Sequence, residues 1–75
     1  MTSKQSHILE YLICCIGAFA ERFSISNQQA YQHLKKYQAL DFLKKHYDIE
    51  HTLSIDDAVD DCARICQRHG GDITL

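Results

Sequence analysis

Proline and tryptophan are absent from this 75-residue sequence, which holds only three glycines and one methionine. It contains no Gly-rich phosphate loop, no nucleophile elbow and no H-E-x-x-H pair. Repeats, linkers and low-complexity stretches are missing too, so the chain reads as one small domain over residues 1–75. An excess of positive charge is lacking: 8 Lys+Arg stand against 10 Asp+Glu, a net charge of −2. Phosphate recognition needs concentrated Lys and Arg, so nucleic acid is not the default partner. A long apolar run is also lacking, because Tyr11–Gly17 is far shorter than the ~20 residues that cross a bilayer. No membrane association is expected.

What is present suits a helical core. Hydrophobic residues make up 45 % of the chain and charged residues 24 %, which is neither a disordered nor a fibrous composition. One core of this size supplies a net stability of only ~3–5 kcal/mol, so a staple, a metal or a partner chain would help. Ala18-Phe19-Ala20 resembles a small-residue cleavage site behind an apolar stretch. Glu10 and His7 interrupt the place where that stretch should begin, and Lys4 is the sole basic side chain before it. We therefore read 6–23 as a core helix and expect a cytoplasmic protein with reduced thiols.

Periodicity predicts four helices and an all-α fold. In 6–23, Ile8, Leu12, Cys15, Phe19 and Phe23 recur at three- and four-residue steps, and so do Leu9, Ile13, Ile16 and Ala20. That face is wide enough to make the first helix central. Ser26 is a good N-cap for a helix from Asn27 to about Tyr37, with Ala30, Tyr31, Leu34 and Tyr37 as its buried stripe. A shorter helix over 39–46 should bury Leu40, Phe42 and Leu43. Residues 47–53 alternate apolar and polar, which predicts an extended connector or a strand that pairs with another chain. Ser54 and Asp57 open the last helix as a capping box with Asp in place of Glu; Ile55, Val59, Cys62 and Cys66 form its stripe, and Gly70-Gly71 ends it.

Chemistry-bearing residues are few. Cys62, Cys66 and His69 fall within about 60° of one another at 100° per residue, and Cys14 or Cys15 could add a fourth zinc ligand. The two cysteines also belong to the apolar stripe, where free Cys commonly sits as a small hydrophobe. No short C-x₂-C knuckle accompanies them, so no metal or other cofactor is expected. Only a disulfide between the first and last helices is geometrically sensible. Five histidines bring no recognisable catalytic array, and Asp48 and His51 are best read as ties for the connector backbone, so we expect no enzyme activity.

Charge is unevenly spread. Residues 1–47 carry six basic and three acidic side chains, net +3, and 48–75 carry two basic and seven acidic, net −5. The basic half allows one alternative: a helix-turn-helix over 24–47 in a small DNA-binding regulator, using Lys35, Lys36, Lys44 and Lys45. Its recognition helix would present Ala39, Leu40, Asp41 and Phe42 at the tip, an acidic and apolar end that suits a groove poorly.

The string Ile25-Ser26, Ala30-Tyr31, Leu34, Tyr37, Leu40-Asp41-Phe42-Leu43, Tyr47-Asp48, His51-Thr52, Val59, Asp61 resembles a family of small bacterial proteins. It is the domain-of-unknown-function family numbered thirty-seven ninety-one, and the resemblance covers about residues 9–68. Cys62 and Cys66 depart from it, since members tend to carry aliphatic or aromatic residues there. The resemblance implies a short helical protein, often encoded beside a protein similar to ADP-ribosyltransferases in a toxin–antitoxin-like arrangement. This chain would be the neutralising partner. The family supplies no functional residues. From the sequence itself, the expected partner-binding surface is acidic: Asp48, Glu50, His51 and Thr52 on the connector, with Asp56, Asp57, Asp60 and Asp61 on the last helix. The expected function is thus a non-catalytic interaction module. Homodimerisation is compatible with this, because three short neighbours leave part of a wide first helix uncovered.

Overall fold

A computed structural model describes residues 4–71. Five helices follow in order: α1 Lys4–Phe23, α2 Asn27–Lys36, α3 Ala39–Lys45, α4 Tyr47–Glu50 and α5 Ile55–Arg68. No strand occurs among the described residues, so the small all-α fold stands. The Cα radius of gyration is 11.7 Å. α1 is the centre, with α2 and α5 packed along it, and α3 closes the core against α5 and α2.

Local chemistry starts and stops these helices. Ser26 caps α2 with a full capping box: its Oγ accepts from the Gln29 N–H at 3.0 Å, and its own N–H donates to Gln29 Oε1 at 2.9 Å. Ser54 Oγ accepts from the Asp57 N–H at 3.1 Å, while Asp56 and Asp57 occupy the first turn of α5. α5 ends in a Schellman motif. The Gly71 N–H donates to Cys66 O at 2.7 Å and the Gly70 N–H to Gln67 O at 3.0 Å, with Gly70 at φ +82°. The same motif ends α1 without a glycine: Ile25 N–H reaches Ala20 O at 3.0 Å, Ser24 N–H reaches Glu21 O at 3.4 Å, and Ser24 takes φ +55°. Gln38, at φ +68°, makes the α2–α3 turn in the same left-handed way.

The core is built from Leu12, Cys15, Phe19 and Ala20 of α1, Ala30 and Leu34 of α2, Ala39, Leu40 and Leu43 of α3, and Ala58, Val59, Cys62 and Cys66 of α5. Fully burying side chains such as Phe19, Leu34, Leu43 and Val59 stabilises the fold by ~1.5–3 kcal/mol each. Several expected core residues differ. Leu9 and Ile13 are each 59 % exposed and Tyr31 is 43 % exposed. Phe42 and Tyr37 are half-buried, and Ile55 lies on the surface. The second stripe of α1 is therefore covered only at Ile16 and Ala20 and left open at Leu9 and Ile13.

The connector is the main correction. Residues 47–53, expected to be extended, form a helical turn followed by further turns. Glu50 N–H donates to His46 O at 2.8 Å, His51 N–H to Tyr47 O at 3.0 Å and Leu53 N–H to Glu50 O at 3.0 Å. With no neighbouring strand among the described residues, the backbone groups are satisfied locally. Helical winding then turns residue 50 inwards and residue 49 outwards, whatever the alternation of the sequence.

Candidate functional site

The uncovered part of that α1 stripe floors an open groove of about 510 Å³. Leu9, Leu12, Ile13 and Ile16 line it from α1, Tyr31 and Lys35 from α2, and Leu40, Asp41 and Lys44 from α3. It arises because α2, turned back at Ser24, and α3, turned at Gln38, pack over the C-terminal part of the second α1 stripe and leave Leu9 and Ile13 open between them. A smaller depression lined by Ile8, Leu9, Leu12 and Lys44 adjoins it. Lys35 Nζ stands 5.8 Å from the centroid of the Tyr31 ring, so one ammonium sits over the groove wall. The result is an apolar floor with two cationic posts and a single carboxylate, Asp41, at its rim.

The expected acidic surface is not one free patch. Arg22, near the end of α1, pairs with Asp60, stands 3.6 Å from Asp56 Oδ1 and donates to the Asp56 carbonyl at 3.2 Å. Arg64 pairs with Asp61. His51 uses its Nδ1–H on Tyr47 O at 2.5 Å and Thr52 Oγ1 donates to Ile49 O at 2.6 Å, so both tie the connector to itself. Asp48 and Asp57 are exposed. Glu50 does not belong to the surface at all: it is 5 % exposed. A carboxyl in that position cannot meet a partner, and the reason is the helical turn that the alternation concealed.

Glu50 instead enters a polar pocket inside an otherwise apolar core. Tyr11 and Cys15 of α1 and Asp61 and Cys62 of α5 lie around its carboxyl. Burial, then the hydrogen bond and the charge of Asp61, push the Glu50 carboxyl up to about 7, and Arg64 pulls it back in part. Burial also raises the Tyr11 phenol and the Cys15 and Cys62 thiols, and pushes the Cys66 thiol up to about 11. Among the described residues, Glu50 Oε1 and Tyr11 Oη are buried side-chain oxygens with no hydrogen-bond partner.

The Cys62, Cys66 and His69 stripe divides. Both cysteines are buried at 1 % and 2 % exposure, while His69 is exposed with its Nδ1–H directed at Ile65 O, 3.3 Å away. No group of three or more His, Cys, Asp or Glu among the described residues is placed to hold a metal ion. The thiols are core side chains. Of the four lysines of the DNA-binding alternative, Lys35 and Lys44 border the apolar groove, Lys36 lies 5.3 Å from the centroid of the Tyr37 ring, and Lys45 is exposed. They do not make one basic face.

Sequence reasoning missed two things here. The groove could have been suspected from the double stripe of α1, but which part stayed open depended on where α2 and α3 lie. Nothing in the residues near Glu50 announced its burial.

Comparison with known proteins agrees with the resemblance read from the residues. The family described as Protein of unknown function (DUF3791) matches residues 10–69. No curated protein and no solved structure matches the chain. Among the described residues, no helix is long and apolar enough to cross a membrane.

Proposed function

We propose that this chain, which belongs to the DUF3791 family, is a non-catalytic protein-interaction module that takes an amphipathic helix of a partner protein into the α1–α2–α3 groove. The observation that carries this reading is the pair Leu9 and Ile13, each 59 % exposed one helical turn apart. Side chains spaced this way offer the floor that the i, i+3, i+4 and i+7 anchors of a partner helix fill. Lys35 and Lys44 at the rim favour a partner helix whose flanks are acidic. The acidic residues of α5 are engaged by Arg22 and Arg64, which shifts the docking surface from α5 to α1.

The partner we propose is the neighbouring ADP-ribosyltransferase-like protein that the family resemblance implies, which makes the chain antitoxin-like. The free thiols support a cytoplasmic setting. DNA binding is the weaker reading, because two of its four lysines border an apolar floor that a phosphate backbone cannot use.

Co-expression with the neighbouring gene product, followed by affinity measurement, tests the proposal. The expected result is a complex at submicromolar Kd, equivalent to a binding free energy beyond about −8 kcal/mol. Leu9→Asp and Ile13→Asp should each weaken it at least tenfold while leaving the helical circular dichroism unchanged. No complex with the neighbour, or a complex indifferent to both substitutions, overturns the reading.

A further inference from the structure

Between Leu43 and Ala58 the chain buries a single residue, and that residue is Glu50. The apolar side chains of the same stretch face outwards, with Ile49 65 %, Leu53 38 % and Ile55 37 % exposed. Ring contacts also hold the segment: Tyr47 meets Tyr11 edge-on at 5.5 Å and stacks on its own neighbour His51 at 4.4 Å, and His46 lies 4.9 Å from the Phe42 ring of α3. The backbone N–H groups of Ile49–Leu53 donate within 46–53, while His46 donates to Phe42 O of α3 and Ser54 accepts from Asp57 and Ala58 of α5. A locally hydrogen-bonded turn thus sends one buried side chain into the core, and that side chain is a carboxylic acid.

That carboxyl has an orphan oxygen. Glu50 Oε1 has no hydrogen-bond partner and lies in a pocket whose other polar groups are poor company for an anion. From α1 it is faced by the Tyr11 phenol and the Cys15 thiol, both held neutral by burial. From α5 it is faced by the Cys62 thiol, also held neutral, and by Asp61, which is paired with Arg64. α3, which packs against α4, carries Asp41, Lys44 and Lys45, and His46 joins the two helices; all four are exposed. A neutral acid can donate its proton to the Asp61 carboxylate. An ionised one would place two carboxylates side by side in a low-dielectric seam.

We propose that residues 47–53 form a proton-operated clasp: neutral Glu50 holds the segment in the seam between α1 and α5, and loss of its proton releases it. This goes beyond the docking reading and does not depend on it. In the docked state the Glu50 carboxyl titrates near 7, well above its value in a released, solvated segment. Opening therefore consumes no proton change below about pH 4.5, releases one proton between about 4.5 and 7, and becomes pH-independent above that range. One released proton raises the open population about tenfold per pH unit inside the window. The clasp is tight in mild acid and loosest at and above neutrality.

The test is amide hydrogen exchange of Ile49–Leu53 on the whole chain between pH 5 and 8, expressed as protection factors so that intrinsic chemistry cancels. The expected result is a fall in protection of about tenfold per pH unit from pH 5 to 7 and a plateau above, with the Ile49–Leu53 amides less protected at every pH than those of the α1 and α5 interiors, as a local opening requires. Glu50→Gln should abolish the slope. Asp61→Asn removes the neighbouring charge and should move the start of the plateau to lower pH, which keeps the proposal testable should Glu50→Gln fold poorly. His46→Gln and His51→Gln should leave the slope intact. A flat wild-type profile, a slope that survives Glu50→Gln, a plateau unmoved by Asp61→Asn, or a slope lost in either histidine variant overturns the clasp.

Discussion

Gly71 lies flat against the ring of Tyr37, so close that a β-carbon added to it would overlap Cγ and Cδ2 of the tyrosine. The contact fastens the end of α5 to the end of α2, and the His33 Nε2–H donates to the Gly71 carbonyl at 2.8 Å beside it. Gly71→Ala should cost about 1–3 kcal/mol, the usual penalty for forcing extra volume into a packed site. Urea unfolding gives the number. A variant as stable as the parent would mean that the ring moves aside freely.

Two turns do a glycine's work with other residues. Ser24 and Gln38 adopt φ of +55° and +68°, a conformation that costs an ordinary residue roughly 1–2 kcal/mol. Ser24→Gly and Gln38→Gly remove that strain but loosen the unfolded chain, so a net gain of about 0.5–1 kcal/mol each is expected. Thermal melts of the single and double variants should show additive increases, since the sites are separate turns.

The two stripes of α1 and its neighbours should respond differently to truncation. Leu34→Ala, in a fully buried position, should cost about 2–5 kcal/mol. Leu9→Ala, on the open groove, should stay within about 0.5 kcal/mol. Comparable losses at both sites would mean that the groove is closed in solution.

Global stability should depend on pH through Glu50. Its folded-state carboxyl is raised from the ordinary value of 4.5 to about 7 by burial and by Asp61. The folded state therefore binds the proton more tightly than the unfolded chain does. This contribution to stability is fully present below about pH 4.5 and is lost as pH rises through 7. The loss amounts to roughly 3–4 kcal/mol at most, because each pH unit between those two values is worth about 1.4 kcal/mol. Denaturant midpoints at pH 5 and pH 8 should differ accordingly, and Glu50→Gln should bring them together.

The ion pair joining α1 to α5 should contribute little. Arg22 and Asp60 are partly exposed, with side-chain exposures of 32 % and 57 %. Replacing Arg22 with Ala should cost no more than about 1 kcal/mol, less at high salt. A larger loss would point to the bond from Arg22 to the Asp56 carbonyl, which holds the first turn of α5.

Much of the fold was written locally. The stripe Leu12, Cys15, Phe19, the caps at Ser26 and Ser54 and the stop at Gly70-Gly71 each depend on residues within a turn or two, and each lies where the pattern placed it. The cysteine stripe was legible for the same reason, since Val59, Cys62 and Cys66 share one face of one helix. Residues 47–53 were misread because polar–apolar alternation over a short stretch fits a strand and a surface turn equally well. A strand needs a ladder, and this fold offers none among its described residues.

The sequence by itself determined α1, α2, α3 and α5, their approximate ends and which residues could be apolar neighbours, because those rest on 3.6-residue periodicity and on hydrogen bonds to adjacent backbone. Tertiary structure alone decided which part of the α1 face would be covered and which left as a groove. It also decided that a glutamate rather than an isoleucine would enter the core beside Asp61. Both outcomes depend on the angles at which α2, α3 and α4 leave their turns. Those angles are set by the packing of residues far apart in the chain, and no local pattern encodes them.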